Sequence, residues 1–244
     1  MIFHIEKDSE TLTHYLAEWL VGYIKDTIHL QNKCTIALSG GNTPKQLYTL
    51  LTTDTYRKKI DWQKLYFFFG DERYVPFTDE RNNAKMAFDT LLDHVPVKKE
   101  KVHVMRTDID AEQSAHEYET ILHTHFDNDP YTFDLVLLGL GDNAHTLSLF
   151  PGYSSIIFEK KHWVRSFYLE EQKTTRITLT APVVNQSRTV AFIVTGKEKS
   201  EALAQVTEGE KDFINYPAQI IQPENGQVFW FMDQAAAEGL QKNQ

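Results

Sequence analysis

The chain has 244 residues, 41% of them hydrophobic and 24% charged, with a formal net charge of -9 at pH 7. That acidic balance excludes a broad nucleic-acid footprint, which needs a basic face to release phosphate counterions, but allows a small anionic ligand that needs only local positive charge. A single cysteine, Cys34, excludes an intrachain disulfide, and no stretch approaches the roughly 18 apolar residues of a membrane span, so no membrane partner is expected and the cytoplasm is the expected compartment.

A first strand is expected around Phe3. Leu12, Tyr15, Leu16, Trp19, Leu20, Tyr23 and Ile24 then recur at three- and four-residue steps, the period of an amphipathic helix. Four near-continuous apolar runs follow: CTIALS (34–39), LYFFFG (65–70), DLVLLGL (134–140) and TVAFIVTG (189–196). Runs of this kind read as strands covered on both faces of a parallel sheet. Helical patterns separate them, over 44–51, 83–92, 111–126 and 197–206, and the tail QAAAEGLQKNQ reads as a short helix that frays. The alternation predicts one α/β domain over 1–244 with a doubly wound, mostly parallel sheet.

In such sheets ligands gather beyond the carboxyl ends of the strands. Four segments stand there. In SGGNTPKQLY, Thr43 is expected as N-cap and Pro44 as first helical residue, so Gly40, Gly41 and Asn42 form the loop feeding a helix N-terminus, a site for phosphate or carboxylate. GDERYVP puts Asp71, Glu72 and Arg73 in a turn after a strand. GLGDNAHTLSLFPG empties a buried strand into a polar loop carrying His145, whose imidazole can exchange a proton near neutral pH. RITLT and TGKEK bring Arg176, Lys197 and Lys199 to two further element ends. The histidine pairs His123/His125 and His4/His14 read as surface residues without a shared partner, and no metal-ligand set is evident.

Taken together, these stretches resemble the 6-phosphogluconolactonase family, itself related to glucosamine-6-phosphate deaminases and isomerases, over nearly the whole chain. SGGNTP stands for that family's SGGSTP, DERYVP with Asn82 and Asn83 for its DER-x-VP and downstream asparagine, and HTLSLFPG for its HTASLFPG; RITLT and VTGKEK complete the order. The resemblance implies a Rossmann-like three-layer α/β/α fold and hydrolysis of 6-phospho-D-glucono-1,5-lactone to 6-phosphogluconate; no cofactor and no obligate protein partner are expected.

A sugar lactone is a reactive ester. Its hydrolysis needs a base for water, positive charge for the developing oxyanion and an anchor for the remote phosphate. His145 is assigned as base, with Arg73 as electrostatic partner and Asp71 or Glu72 as orienters. Gly40, Gly41, Asn42 and Thr43 with Arg176 and Lys199 are assigned to the phosphate; Lys199, rather than Lys197, falls on the family's G-x-x-K lysine. One departure matters: the family's D-G-H is Asn143-Ala144-His145 here. Asn143 keeps an acceptor and loses the charge, Asp142 is a candidate replacement, and Ala144 is costly if its φ is positive. The alternatives are a glucosamine-6-phosphate deaminase, whose glutamate before the proline is Phe150 here, and a non-catalytic sugar-phosphate-binding relative.

Overall fold

The computed structural model describes residues 1–127 and 129–241. In chain order the strands are β1 (Ile2–Glu6), β2 (Cys34–Leu38), β3 (Leu65–Phe69), β4 (Asp71–Arg73), β5 (Leu135–Gly139), β6 (Val164–Leu169), β7 (Thr174–Leu179), β8 (Thr189–Val194) and β9 (Gln227–Asp233). The helices are α1 (Ser9–Gln31), α2 (Asn42–Leu51), α3 (Asp54–Arg57), α4 (Asn83–Thr90), α5 (Ala111–Phe126), α6 (Ser154–Ile157), α7 (Ala181–Val184), α8 (Ser200–Glu208) and α9 (Gln234–Ala237).

Six strands form one sheet in the order β1-β9-β8-β5-β2-β3, and every pairing in it is parallel. The apolar runs are continuous because both faces are covered, and side-chain alternation divides each strand between two cores. Ile36, Phe67, Leu137 and Ile193 face the layer of α1, α2 and α4 with Leu16, Leu20 and Leu47. Ala37, Phe68, Val136 and Phe192 face the opposite layer, with Tyr118 and Leu122 of α5 and Leu203 of α8. The expected α/β/α architecture is present.

Chain direction across the sheet reverses between β2 and β5: β3 continues outward from β2, whereas β8 and β9 continue the other way from β5. The loops after β2 and β5 therefore diverge and leave a crevice, the usual ligand position in such sheets.

Several expectations need correction. Asp71–Arg73 is not a solvated turn but the edge of a second, three-stranded antiparallel sheet, β4-β7-β6. Arg176 lies within β7, not at its end. The segment from 197 starts as a 3-10 turn (Lys197–Lys199) before α8. β9, the parallel strand beside β1 and β8, has no counterpart among the expected elements. The tail helix is the single turn α9; residues 242–244 of that expectation lie outside the described residues.

Candidate active site

A cavity of about 450 Å³ opens at the crevice, lined by the loops after β2, β5 and β8 together with β4, β7, the start of α4 and the turn before β7. Of the residues expected at the site, Gly40, Gly41, Asn42, Thr43, Asp71, Arg73, His145, Arg176 and Lys199 line it, whereas Asn143 meets it only through His145 and Glu72 does not line it.

After β2 the chain turns on Gly41, whose φ of 108° is a conformation that L side chains rarely adopt. Gly40 is tight for another reason: a Cβ there would stand 1.9 Å from Asn83 Oδ1. Gly41 is the N-cap and α2 starts at Asn42, so neither the expected cap at Thr43 nor the expected first position of Pro44 holds. The Thr43 hydroxyl instead bonds Thr195 Oγ1 at 2.8 Å, tying the loop after β2 to that after β8. Lys45 N–H donates to Gly41 O as the first intrahelical bond, so the N–H groups of Asn42 and Thr43 precede the ladder at the positive end of the helix.

β4 separates its carboxylates by face. Glu72 is buried, and its carboxylate accepts N–H groups of Arg73 (2.8 Å), Asn83 (2.7 Å) and Ala84 (2.8 Å), fastening the start of α4 to β4. Burial pushes its carboxyl up to about 7 although these three donors favour the charged form. Asp71 faces the cavity, where its Oδ2 accepts from Ser148 Oγ at 2.6 Å and its Oδ1 from Asn83 Nδ2 at 3.3 Å. Of the two acids, then, Asp71 belongs to the cavity and Glu72 to its frame. Ser148 lies inside the HTLSLFPG stretch, yet its partner is a residue 77 positions away.

Arg73 and Arg176 are opposite each other in the β4·β7 register. Arg73 Nη1 donates to Arg81 O at 2.9 Å, and Arg176 Nη2 donates to Gln172 Oε1. The Nε of each is buried and has no hydrogen-bond partner among the described residues. Arg176 is 4% exposed, and burial lowers its guanidinium pKa. Lys199 lines the cavity, whereas the exposed Lys197 pairs with Glu238 at 3.1 Å.

His145 Nδ1 and its own backbone N–H both point at Asn143 Oδ1, at 2.5 and 3.3 Å. The backbone donor fixes that atom as an acceptor, so Nδ1 carries the ring proton and Nε2 is left as the basic nitrogen. Asn143 thus orients the ring without a charge. Phe150 stacks on it with centroids 4.2 Å apart and planes at 19°, and the Arg176 guanidinium lies 5.7 Å from the Phe150 centroid. Burial brings the imidazole pKa down to about 4; Asp71 opposes this, Lys199 and Arg176 reinforce it, and Asp142 opposes it least. Asp142 accepts the Asn143 N–H at 3.0 Å. Ala144 has φ of 61°, so this replacement of the family's glycine carries the left-handed cost of about 1 kcal/mol.

The histidine pairs differ from expectation in part. His14 is exposed, but His125 is half-buried against Phe68 (5.3 Å) and His103 (4.7 Å). Among the described residues no group of three or more His, Cys, Asp or Glu side chains is arranged to hold a metal ion, and no helix is long and apolar enough to cross a membrane.

Comparison with known proteins agrees with this geometry. A family model described as glucosamine-6-phosphate isomerases/6-phosphogluconolactonase matches residues 7–230. The 6-phosphogluconolactonase of Synechocystis sp. is 40% identical over 210 residues, 84% of each chain, and that of Nostoc sp. 39% over 217 residues, 87% of each. The solved structure of 6-phosphogluconolactonase from Trypanosoma brucei has a TM-score of 0.84 over 98% of both chains at 29% identity. A strand-end crevice holding an imidazole and three cations, with sequence matches of this length, makes the chain a member of the glucosamine-6-phosphate isomerase/6-phosphogluconolactonase family.

Proposed function

We infer that the chain hydrolyses 6-phospho-D-glucono-1,5-lactone to 6-phospho-D-gluconate, the lactone step of the oxidative pentose phosphate pathway. The observation that carries this reading is the state of His145: its ring proton is committed to Asn143, its Nε2 has no hydrogen bond among the described residues, and it is neutral at pH 7. A neutral imidazole beside three cations suits attack of water on a phosphorylated ester.

His145 Nε2 takes a proton from water as the water oxygen bonds to the lactone C1. Charge develops on the carbonyl oxygen, where Arg73 offsets it. The bond between C1 and the ring oxygen then breaks, and the imidazolium returns its proton to that oxygen, leaving the open acid. Asp71 is the foremost charge that favours the imidazolium, while Asn143 orients the ring without adding charge. The phosphate is assigned to the free N–H groups at Gly41, Asn42 and Thr43, with Lys199 and Arg176 as its cationic partners.

Phe150 favours the lactonase over the deaminase reading. It stacks flat on His145 where the deaminase pattern carries a carboxylate, and it offers no proton for ring opening of an amino sugar. The test is a coupled assay of lactone disappearance beside an ammonia assay on glucosamine 6-phosphate. Lactone turnover without ammonia release is expected; ammonia release without lactone turnover refutes the reading.

A further inference from the structure

The hairpin between β6 and β7 closes through the turn Glu170–Gln172, followed by Lys173 in a left-handed conformation with φ of 47°. This turn has the sequence Glu-Glu-Gln, and the residue it directs to the cavity is the neutral one: Gln172 lines the cavity beside Arg176. Two further bonds hold the turn to the histidine loop. Tyr153, three residues beyond Phe150, accepts the Glu170 N–H at 2.9 Å and donates its hydroxyl hydrogen to Glu171 Oε2 at 2.7 Å. The same phenol thereby draws the nearest acid of the turn away from the cavity and fixes the backbone that carries Gln172.

The amide of Gln172 is used asymmetrically. Its Oε1 accepts from Arg176 Nη2, while its two Nε2 hydrogens make no hydrogen bond among the described residues and are the donors that the side chain can offer a ligand. An amide oriented this way by a buried arginine is a donor site for an anion. A glutamate would accept the same Arg176 hydrogen but neutralise the guanidinium and repel an anion.

We propose that Gln172 is a specificity-determining residue for the substrate's phosphate: it positions the Arg176 guanidinium through Oε1 and donates to the phosphate through Nε2, and Tyr153 is the positioning residue that holds its turn. The inference rests on the reading of Arg176 as a phosphate ligand.

The test compares kcat/KM for the 6-phosphorylated lactone with that for plain glucono-1,5-lactone in the unmodified protein, Gln172→Glu, Gln172→Ala, Tyr153→Phe and Arg176→Ala. Loss of a hydrogen bond to a charged group corresponds to about tenfold or more in binding. Gln172→Glu should lower the preference for the phosphorylated lactone by at least that factor, through KM and not kcat, and Gln172→Ala by a smaller one. Tyr153→Phe should move the preference in the same direction. Gln172 is exposed, so its variants should keep the thermal midpoint of the parent. An unchanged preference in both Gln172 variants, with Arg176→Ala losing it, overturns the role of Gln172 alone. An unchanged preference in Arg176→Ala overturns the phosphate reading and the proposal with it.

Discussion

Arg73 and Arg176 occupy one rung of the β4·β7 ladder, two arginines facing each other at the wall of one cavity, each with a buried Nε that no described residue accepts. Like charges directly opposite on a ladder are unfavourable, and an uncompensated buried donor adds to the cost. On the proposed reading the pair is offset by one anionic substrate that meets both, with its phosphate at Arg176 and its developing oxyanion at Arg73.

Binding of that anion should therefore stabilise the fold. Saturating 6-phosphogluconate, at about 100 times its Kd, adds about 2.7 kcal/mol by mass action. The thermal midpoint should rise accordingly, and the rise should shrink in Arg176→Ala and Lys199→Ala. A midpoint indifferent to 6-phosphogluconate in the unmodified protein contradicts the anion site.

The Glu72 carboxylate carries three backbone N–H groups, two of them at the start of α4, and nothing else described there replaces it. Glu72→Ala leaves those donors buried and unpaired, which costs about 1–3 kcal/mol for a single such group. Chemical denaturation should show a loss of at least that size. Because α4 also carries Asn83, whose side chain touches Asp71 and packs on Gly40, activity should fall with stability. Unchanged stability refutes the framing role.

Acid sensitivity is predicted at a second place, away from the cavity. His103 stacks on Phe68, its Nε2 is buried with no partner among the described residues, and burial with His125 nearby brings its pKa down to about 4. The unfolded chain binds this proton from about pH 6.5 downward and the folded chain does not, so the unfolded state holds more protons in that window. Stability rises with pH between about 4 and 6.5 and is lost as pH falls through it. His103→Phe keeps the stacking and removes the titration. Its thermal midpoint should fall less steeply than the parent's between pH 6.5 and 4; parallel curves contradict the assignment.

The sheet was legible in the chain where burial on both faces makes a strand continuously apolar, as in LYFFF and LVLLG. β9 carries a similar signal in VFWFM after the turn residues PENG. β4 was not legible: three charges in a row read as solvent-exposed, and only pairing with β7, about 100 positions later, makes them a strand. The same holds for the site. Glycines, His145 and Lys199 stand beyond strand ends and so were visible, whereas Ser148 on Asp71 and the alternation that parts Asp71 from Glu72 depend on contacts between distant segments, and Gln172 on Arg176, only four residues apart, depends on the conformation of the turn before β7. The left-handed Ala144 was foreseeable as a question, and its φ answers it.

Asn143 tests the electrostatics of the base. With Asp71 already favouring the imidazolium, Asn143→Asp adds a second negative charge, raises the His145 pKa from about 4 and moves the acid limb of the kcat/KM profile to higher pH. Its gain in kcat at pH 7 should stay below about tenfold, since the ring is already oriented and neutral there. A gain of orders of magnitude from a nearly inactive parent identifies the chain as a binding relative that has lost its chemistry.

The central claim is that His145 removes the proton from water while the phosphate is held elsewhere. The most direct measurement is kcat of His145→Ala on 6-phosphogluconolactone, corrected for uncatalysed hydrolysis, with the Kd of 6-phosphogluconate determined on the same sample. Loss of a general base predicts a fall in kcat of roughly 10²–10⁴ with a Kd within a few-fold of the parent's. Full activity in His145→Ala contradicts the claim and transfers the base to a carboxylate of the cavity, Asp71.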